Sequence, residues 1–303
     1  MPTAKGNPGA DVSGAGSPNS ISNVQAPSGK DAAYENFPVG SWLLPAALRP
    51  HIARYYAFAR AIDDIADSPD LADAEKLKRL DGYEKAVLGK GRKNQAYDIA
   101  HQMHDSLNET GISPDHCVDL ITAFKQDITK LRYRDWDDLM GYCLLSAAPV
   151  GRFLLDLHGG SNNGYGASDA LCQALQVINH LQDCQDDFLS LDRVYLPEDW
   201  MVDAGIDVQE LDAVLAKDHT SPALRRVLDR CLDATGTLLA DARLLPGGLI
   251  SRRLAMESAA IIEIALQLTR QLRERDPLGP NRVKLSKPDY LWCCAKGALR
   301  VWM

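Results

Sequence analysis

Several kinds of segment are absent from this 303-residue sequence, and each absence excludes a class of protein. No apolar run approaches the roughly 20 residues that a helix needs to span a bilayer, so we do not expect this chain to be an integral membrane protein. No G-x-G-x-x-G follows a strand pattern, so nothing indicates a dinucleotide site. The net charge of −8 argues against nucleic acid as the main partner. An anionic substrate stays open, because carboxylates can reach phosphates through divalent cations.

Signals for export and for disulfides are also missing. The seven cysteines are odd in number and form no C-x-x-C, which favours reduced core thiols and a cytoplasmic location. The first residues contain no apolar segment typical of a signal peptide. Residues 1–30 are rich in Gly, Ser, Pro and Asn, so we expect a disordered tail there and one helical domain over 31–303.

Helical periodicity is present along most of the remaining chain, and no segment alternates with period 2. We therefore predict an all-α fold. The first helix is expected to have Pro45 in its first turn, and SLDRVYLPEDW (190–200) is expected to form an ordered loop. The predicted helices span about 45–66, 71–88, 95–109, 114–130, 135–146, 149–159, 167–189, 207–216, 220–242, 248–275 and 287–301.

Two of these helices carry polar stripes in apolar surroundings. The first stripe, in YYAFARAIDDIAD, consists of Tyr56, Arg60, Asp63 and Asp67. The second, in QVINHLQDCQDD, consists of Gln176, Asn179, Asp183 and Asp187. A single D-x-x-x-D is common on solvated helix faces, but here it occurs twice among residues too apolar for such a face. The two stripes predict two walls of one metal site.

Carboxylates that face inward from buried helices repel each other unless cations or protons compensate them. Mg²⁺ suits this position because it takes oxygen ligands and leaves positions open for phosphate oxygens. Two such clusters could hold a diphosphate between them and stabilise the charge on a departing pyrophosphate. The remaining cavity is expected to be apolar and to accept a hydrocarbon chain.

The motifs resemble those of the squalene and phytoene synthases, and the resemblance covers roughly residues 34–300. YAFARAIDDIAD (56–67) and QVINHLQDCQDDFLSLDRVYLP (176–197) are similar to the two aspartate-rich regions of that family. QDITKLRYRDWDDLMGYCLLSAAPVG (126–151) is similar to its central region, and NRVKLSKPDYL (281–291) to a late basic element. The resemblance implies a single-domain, all-helical isoprenoid synthase fold with a central apolar cavity.

The resemblance also implies roles for individual residues. It implies catalytic roles for Tyr56, Arg60, Asp63, Asp67, Asp183 and Asp187. It implies Mg²⁺ binding by Asp63, Asp67, Asn179, Asp183 and Asp187. Substrate is expected to contact Asn36, Phe37, Val150, Gln176, Arg193, Tyr195 and Arg282, with Phe37 and Val150 in the prenyl pocket. Asp64 and Asp186 point about 100° away from their stripes, so we expect structural salt bridges there.

Within the family, three segments resemble those of a bacterial branch that acts in the hopanoid pathway: ENFPVGSWLLP, SAAPVGR and NHLQD. This resemblance implies that presqualene diphosphate loses pyrophosphate, that the cation rearranges, and that water captures it without NADPH. One alternative is the head-to-head condensation of two prenyl diphosphates to presqualene diphosphate, squalene or phytoene. Another, from a different class, is a non-catalytic helical protein that binds isoprenoids.

Departures from the family pattern bear on this choice. Tyr34 and Asn36 replace a usual serine pair, and Gln182 replaces a usual arginine. The loss of that positive charge at Gln182 should weaken the binding of a second diphosphate. Glu35 and Asn36 are expected either to position the water or to cap the helix entry. The apolar C-terminal helix, with Trp292, is expected to pack on the core or to rest on a membrane surface. Contact with neighbouring pathway enzymes stays open.

Overall fold

A computed structural model describes residues 44–92, 94–207 and 211–302, so the predicted tail at 1–30 lies outside the described residues. The described residues contain α-helices, one 3₁₀ turn at Gln95–Tyr97 and no β-strand, which confirms the predicted all-α fold. None of these helices is long and apolar enough to cross a membrane. In chain order they are α1 (Arg49–Asp67), α2 (Asp73–Val87), α3 (Asp98–Thr110), α4 (Asp115–Asp127), α5 (Trp136–Ser146), α6 (Ala148–Leu157), α7 (Gly166–Leu191), α8 (Glu198–Asp203), α9 (Leu211–Leu215), α10 (Pro222–Ala242), α11 (Leu245–Gly248), α12 (Arg252–Glu274) and α13 (Lys287–Trp302).

Three local expectations differ from the structure. The first long helix begins at Arg49, so Pro50 and not Pro45 occupies its first turn, while the Pro45 carbonyl accepts a turn hydrogen bond from Leu48. The segment read as a loop at 190–200 contains the start of α8. The helix predicted from residue 248 is interrupted before α12, because Ser251 caps the new helix by accepting a hydrogen bond from the Leu254 amide.

The two striped helices pack against different sets of neighbouring helices. Helix α1 packs against α2, α3 and α4, whereas α7 packs against α5, α6, α10 and α12. A continuous hydrophobic cluster runs from Leu44 to Cys293 and includes Phe58 on α1 and Ile178 on α7. Because these apolar side chains bury one face of each helix, the neighbouring polar face of each is left to line a cavity.

Candidate active site

Both polar stripes face the same cavity. All four stripe residues of α1 and all four of α7 line it, so the structure brings together the two sets that the sequence places about 120 residues apart. The cavity is lined by Tyr56, Ala59, Arg60, Asp63, Asp67, Phe124, Asp127, Tyr142, Ser146, Gln176, Asn179, His180, Asp183, Asp187, Leu191, Arg193 and Tyr195. Acidic, basic and amide side chains therefore meet on opposite walls of one site.

Three arginines pair with carboxylates of the stripes. Arg60 Nη1 lies 2.9 Å from Asp63 Oδ2, one turn along α1. Arg193 Nη1 lies 2.6 Å from Asp67 Oδ1, and the Arg193 side chain is 8% exposed.

The third pair joins the C-terminal part of the chain to α7. Arg282 Nε lies 2.5 Å from Asp183 Oδ1, and its Nη2 lies 2.8 Å from Oδ2, which is a bidentate contact. Arginines therefore compensate part of the negative charge of the inward carboxylates, besides the metal ions expected from the sequence.

A buried acid lies beside the Asp67–Arg193 pair. Asp127, at the end of α4, is 2% exposed and accepts hydrogen bonds from Tyr142 Oη at 2.8 Å and Tyr195 Oη at 3.3 Å. Burial raises the pKa of the Asp127 carboxyl to about 7, against the opposing influence of Arg193. Its backbone carbonyl also accepts a hydrogen bond from Arg193 Nε at 3.2 Å, so Asp127 fixes the guanidinium that holds Asp67.

Three polar atoms on the cavity wall have no hydrogen-bond partner among the described residues. They are Tyr56 Oη, Ser146 Oγ and His180 Nε2. The His180 ring stacks on Tyr195 with centroids 3.6 Å apart, and burial lowers the pKa of His180 to about 3, so it is neutral at pH 7. Buried polar groups are normally satisfied, so these three atoms indicate a polar ligand in the cavity.

The donor set fits Mg²⁺ in its chemistry. The predicted ligands on the two stripes are four aspartate carboxylates and the Asn179 amide, and their oxygen atoms are the kind of ligand that Mg²⁺ prefers. Within the described part of the chain, no three acidic, histidine or cysteine residues form a group that could hold an ion by themselves. In protein sites that bind nucleotides or phosphates, Mg²⁺ is often held by one or two carboxylates, and water and substrate phosphates complete its ligands.

Not every residue assigned to the site from the sequence lies in this cavity. Val150, on α6, is 38% exposed and is not among the cavity-lining residues, so its place in a prenyl pocket stays a prediction. Asn36 and Phe37 lie outside the described residues. The salt bridges expected for Asp64 and Asp186 are absent among the described residues, and Asp64 Oδ1 is buried without a hydrogen-bond partner. An acidic residue that lies outside a stripe is therefore not necessarily part of an ion pair.

Two basic residues of the central motif prove to be structural. Lys130 Nζ lies 2.5 Å from Asp138, and Arg152 makes a bidentate contact with Asp169 at 2.8 and 2.9 Å. Both residues therefore take part in structural ion pairs. Neither residue lines the cavity.

Sequence reasoning missed several cavity residues. Asp127, Tyr142 and Ser146 stand as single polar residues inside apolar helical segments, with no repeated spacing to mark them. The available signal was indirect, since all three fall within the central region at 126–151. His180 packs by stacking on Tyr195, and its ring also reaches the cavity.

Comparisons with known proteins agree with this geometry. Residues 31–289 match the family model of squalene/phytoene synthase, a range that contains both stripes and Arg282. A hydroxysqualene synthase of Rhodopseudomonas palustris is 43% identical over 264 residues, 87% of this chain and 88% of that protein. Another, of Sinorhizobium fredii, is 42% identical over 260 residues, 85% of each chain. The solved structure of squalene synthase HpnC from Alicyclobacillus acidocaldarius has a TM-score of 0.70 at 29% identity, covering 82% of this chain and 91% of that one.

Proposed function

The chain belongs to the squalene/phytoene synthase family, and we propose that it converts presqualene diphosphate and water to hydroxysqualene and pyrophosphate. Enzymes of this family act on prenyl diphosphates. The observation that carries the finer proposal is the meeting of both aspartate stripes in one cavity, in a chain 43% identical to a protein named hydroxysqualene synthase. We place the enzyme in the cytoplasm, with peripheral contact to the inner face of the membrane.

The first step breaks the bond between the cyclopropylcarbinyl carbon and the diphosphate oxygen, and both electrons leave with pyrophosphate. Arg60 and Arg193 line the cavity beside the stripes and are positioned to stabilise the charge that develops on the leaving group. Arg282 does not line this cavity and acts by holding Asp183 in place. The unpartnered hydroxyl groups of Tyr56 and Ser146 can donate to the oxygens of the leaving group. Positive and hydrogen-bonding groups on both walls therefore stabilise the transition state of ionisation more than they stabilise the intact bound substrate.

Asp63, Asp67, Asn179, Asp183 and Asp187 would hold Mg²⁺, which would supply Lewis-acid stabilisation of the charge on pyrophosphate. The carboxylates also hold the three arginines in place through the ion pairs described above. After rearrangement of the carbon skeleton, water forms the new C–O bond and gives up one proton, which balances the reaction. Since no hydride is transferred, no nicotinamide cofactor is required.

A substrate-by-substrate product assay tests this proposal. Purified protein is supplied with Mg²⁺ and either presqualene diphosphate or farnesyl diphosphate, without NADPH. We expect pyrophosphate and hydroxysqualene from the first substrate and no pyrophosphate from the second. Consumption of farnesyl diphosphate to a C30 or larger diphosphate would reject the proposal.

The alternative is head-to-head condensation of two prenyl diphosphates. It is favoured by one specific observation, that the solved neighbour at 29% identity carries the name squalene synthase. The farnesyl diphosphate arm of the same assay distinguishes the two reactions. A non-catalytic isoprenoid-binding protein would release no pyrophosphate from either substrate.

A further inference from the structure

A second polar pocket lies far along the chain from the stripes, between the end of α10, helix α12 and helix α13. Four cationic residues line it, together with one acid, and Trp292 forms part of its wall. The cations are Arg243, Arg270, Lys296 and Arg300. In a chain of net charge −8, this clustering of positive charge is local and not a property of the whole surface.

The acid of this pocket compensates only part of the positive charge. Glu263 is 4% exposed and forms ion pairs with Lys296 and with Arg300. Arg270 donates to the neutral Gln267 side chain at 2.9 Å, and no carboxylate contacts it or Arg243 among the described residues. Four positive charges and one negative charge leave a net charge of three, which attracts anions.

Exposed apolar side chains surround this pocket. On α13, Leu291, Trp292, Leu299 and Trp302 are 57 to 70% exposed, and Leu244, next to Arg243, is 68% exposed. The opposite face of α13 is fixed to the core, since Cys293 and Gly297 are buried against α12. Helix α13 therefore shows solvent an apolar ridge flanked by Lys296 and Arg300, the reverse of an ordinary surface helix.

We propose that α13 and the adjoining cationic pocket dock the enzyme on an anionic phospholipid bilayer. The apolar ridge would enter the boundary between head groups and acyl chains, where tryptophan is favoured, and the cationic pocket would lie at the level of the lipid phosphates. Charge complementarity selects an anionic leaflet over a neutral one. The inference goes beyond the proposed reaction and does not depend on which prenyl diphosphate is the substrate.

Vesicle co-sedimentation of the full chain tests this docking surface. The probes are phosphatidylcholine vesicles with and without phosphatidylglycerol. Arg243→Gln/Arg270→Gln removes the two cations that Glu263 does not hold, and we expect about 30-fold weaker partition onto the anionic vesicles, because each basic residue near such a leaflet contributes roughly a fivefold gain. Trp292→Ser/Leu299→Ser should weaken binding about tenfold or more on both kinds of vesicle.

Matched controls change charge or apolar area elsewhere on the surface. Lys78→Gln/Lys217→Gln removes the same net charge, and Val202→Ser removes an apolar side chain that is 60% exposed on α8. Both controls should partition like the unchanged protein, and all variants should keep its thermal midpoint. The proposal is overturned if the protein binds neither vesicle, if the controls lose as much binding as the docking variants, or if sedimentation velocity shows that the ridge is covered by a second copy of the chain.

Discussion

At Gln182 the chain has an amide where the family it belongs to usually carries arginine, and the structure shows what that amide contacts. Gln182 is 4% exposed, its Nε2 donates to the Val283 carbonyl, and its Oε1 lies 3.5 Å from Arg282 Nη2. The side chain thus holds the segment that carries Arg282 against Asp183. A weaker grip on a second diphosphate stays a prediction, whereas the support of Arg282 follows directly from the contacts.

Replacing Gln182 with methionine keeps the volume and removes the amide. We expect Gln182→Met to weaken Mg²⁺-dependent pyrophosphate binding about tenfold, because the freed segment holds Arg282 less firmly. Isothermal titration calorimetry checks this value. In the double variant with Arg282→Gln, binding should be no weaker than in Arg282→Gln alone, and independent losses that multiply would contradict the positioning role.

At the scale of the helices, length decides what the sequence reveals. Helices α1 and α7 are 19 and 26 residues long, so their stripes repeat over several turns and are readable from spacing alone. Helices α8 and α11 have only six and four residues, less than two turns each, and their periodicity cannot be distinguished from that of a loop. The predicted helices at 45–66 and 167–189 therefore cover most of α1 and α7, although the predicted start of α1 is four residues too early.

The contact between α12 and α13 depends on one glycine. A Cβ atom at Gly297 would overlap backbone atoms of Ala259 and Ala260. Both residues belong to α12, so the overlap can be relieved only if α12 and α13 move apart. We expect Gly297→Ala to lower the free energy of unfolding by about 2 kcal/mol, as overpacking commonly does. Urea denaturation measures this change.

Gly236→Ala is the matched control for this contact. Gly236 lies inside α10 with nothing within 4 Å of a Cβ atom, so alanine should stabilise the helix by about 0.5–1 kcal/mol. Equal effects at the two positions would contradict the proposed close packing of α13.

Across the whole molecule, the sequence predicted which helices build the site but not how their charges are balanced. The stripes could be read because helical spacing places their side chains on one face. The pairing of Arg193 with Asp67 and of Arg282 with Asp183 joins positions 126 and 99 residues apart, and no local rule reports such contacts. Asp127 was missed for the same reason, since only the folded chain brings Tyr142 and Tyr195 to its carboxylate.

A second buried acid, Glu257, should make the global stability of the protein depend on pH. Glu257, on α12, is 5% exposed, its Oε2 has no hydrogen-bond partner among the described residues, and burial raises its pKa to about 7. Because the folded pKa lies above the unfolded value, the native state binds the extra proton. Stability from this group is thus present below about pH 4.5 and is lost as the pH rises to about 7.

Glu257→Gln should remove this loss. Relative to the unchanged protein, the variant should gain about 3 kcal/mol of unfolding free energy between pH 4.5 and pH 8, since each pKa unit corresponds to about 1.4 kcal/mol. Denaturation curves of both proteins across this range give the difference directly. A difference that does not change with pH would contradict the raised pKa.

The central claim is that the two aspartate stripes act as one diphosphate site. Pyrophosphate release from presqualene diphosphate with Mg²⁺, measured for Asp63→Asn, Asp187→Asn and the double variant, tests it most directly. Each single variant should lose about 10²–10³ in kcat, and the double variant should lose little more, because residues that act as a unit are not additive.

Asp64→Asn and Asp186→Asn provide the controls, since each changes an acid one position away from its stripe, and both should keep nearly full activity. We predict strong, non-additive losses confined to the stripe positions. Losses that multiply in the double variant, or that are as large at Asp64 and Asp186 as at Asp63 and Asp187, would contradict the account.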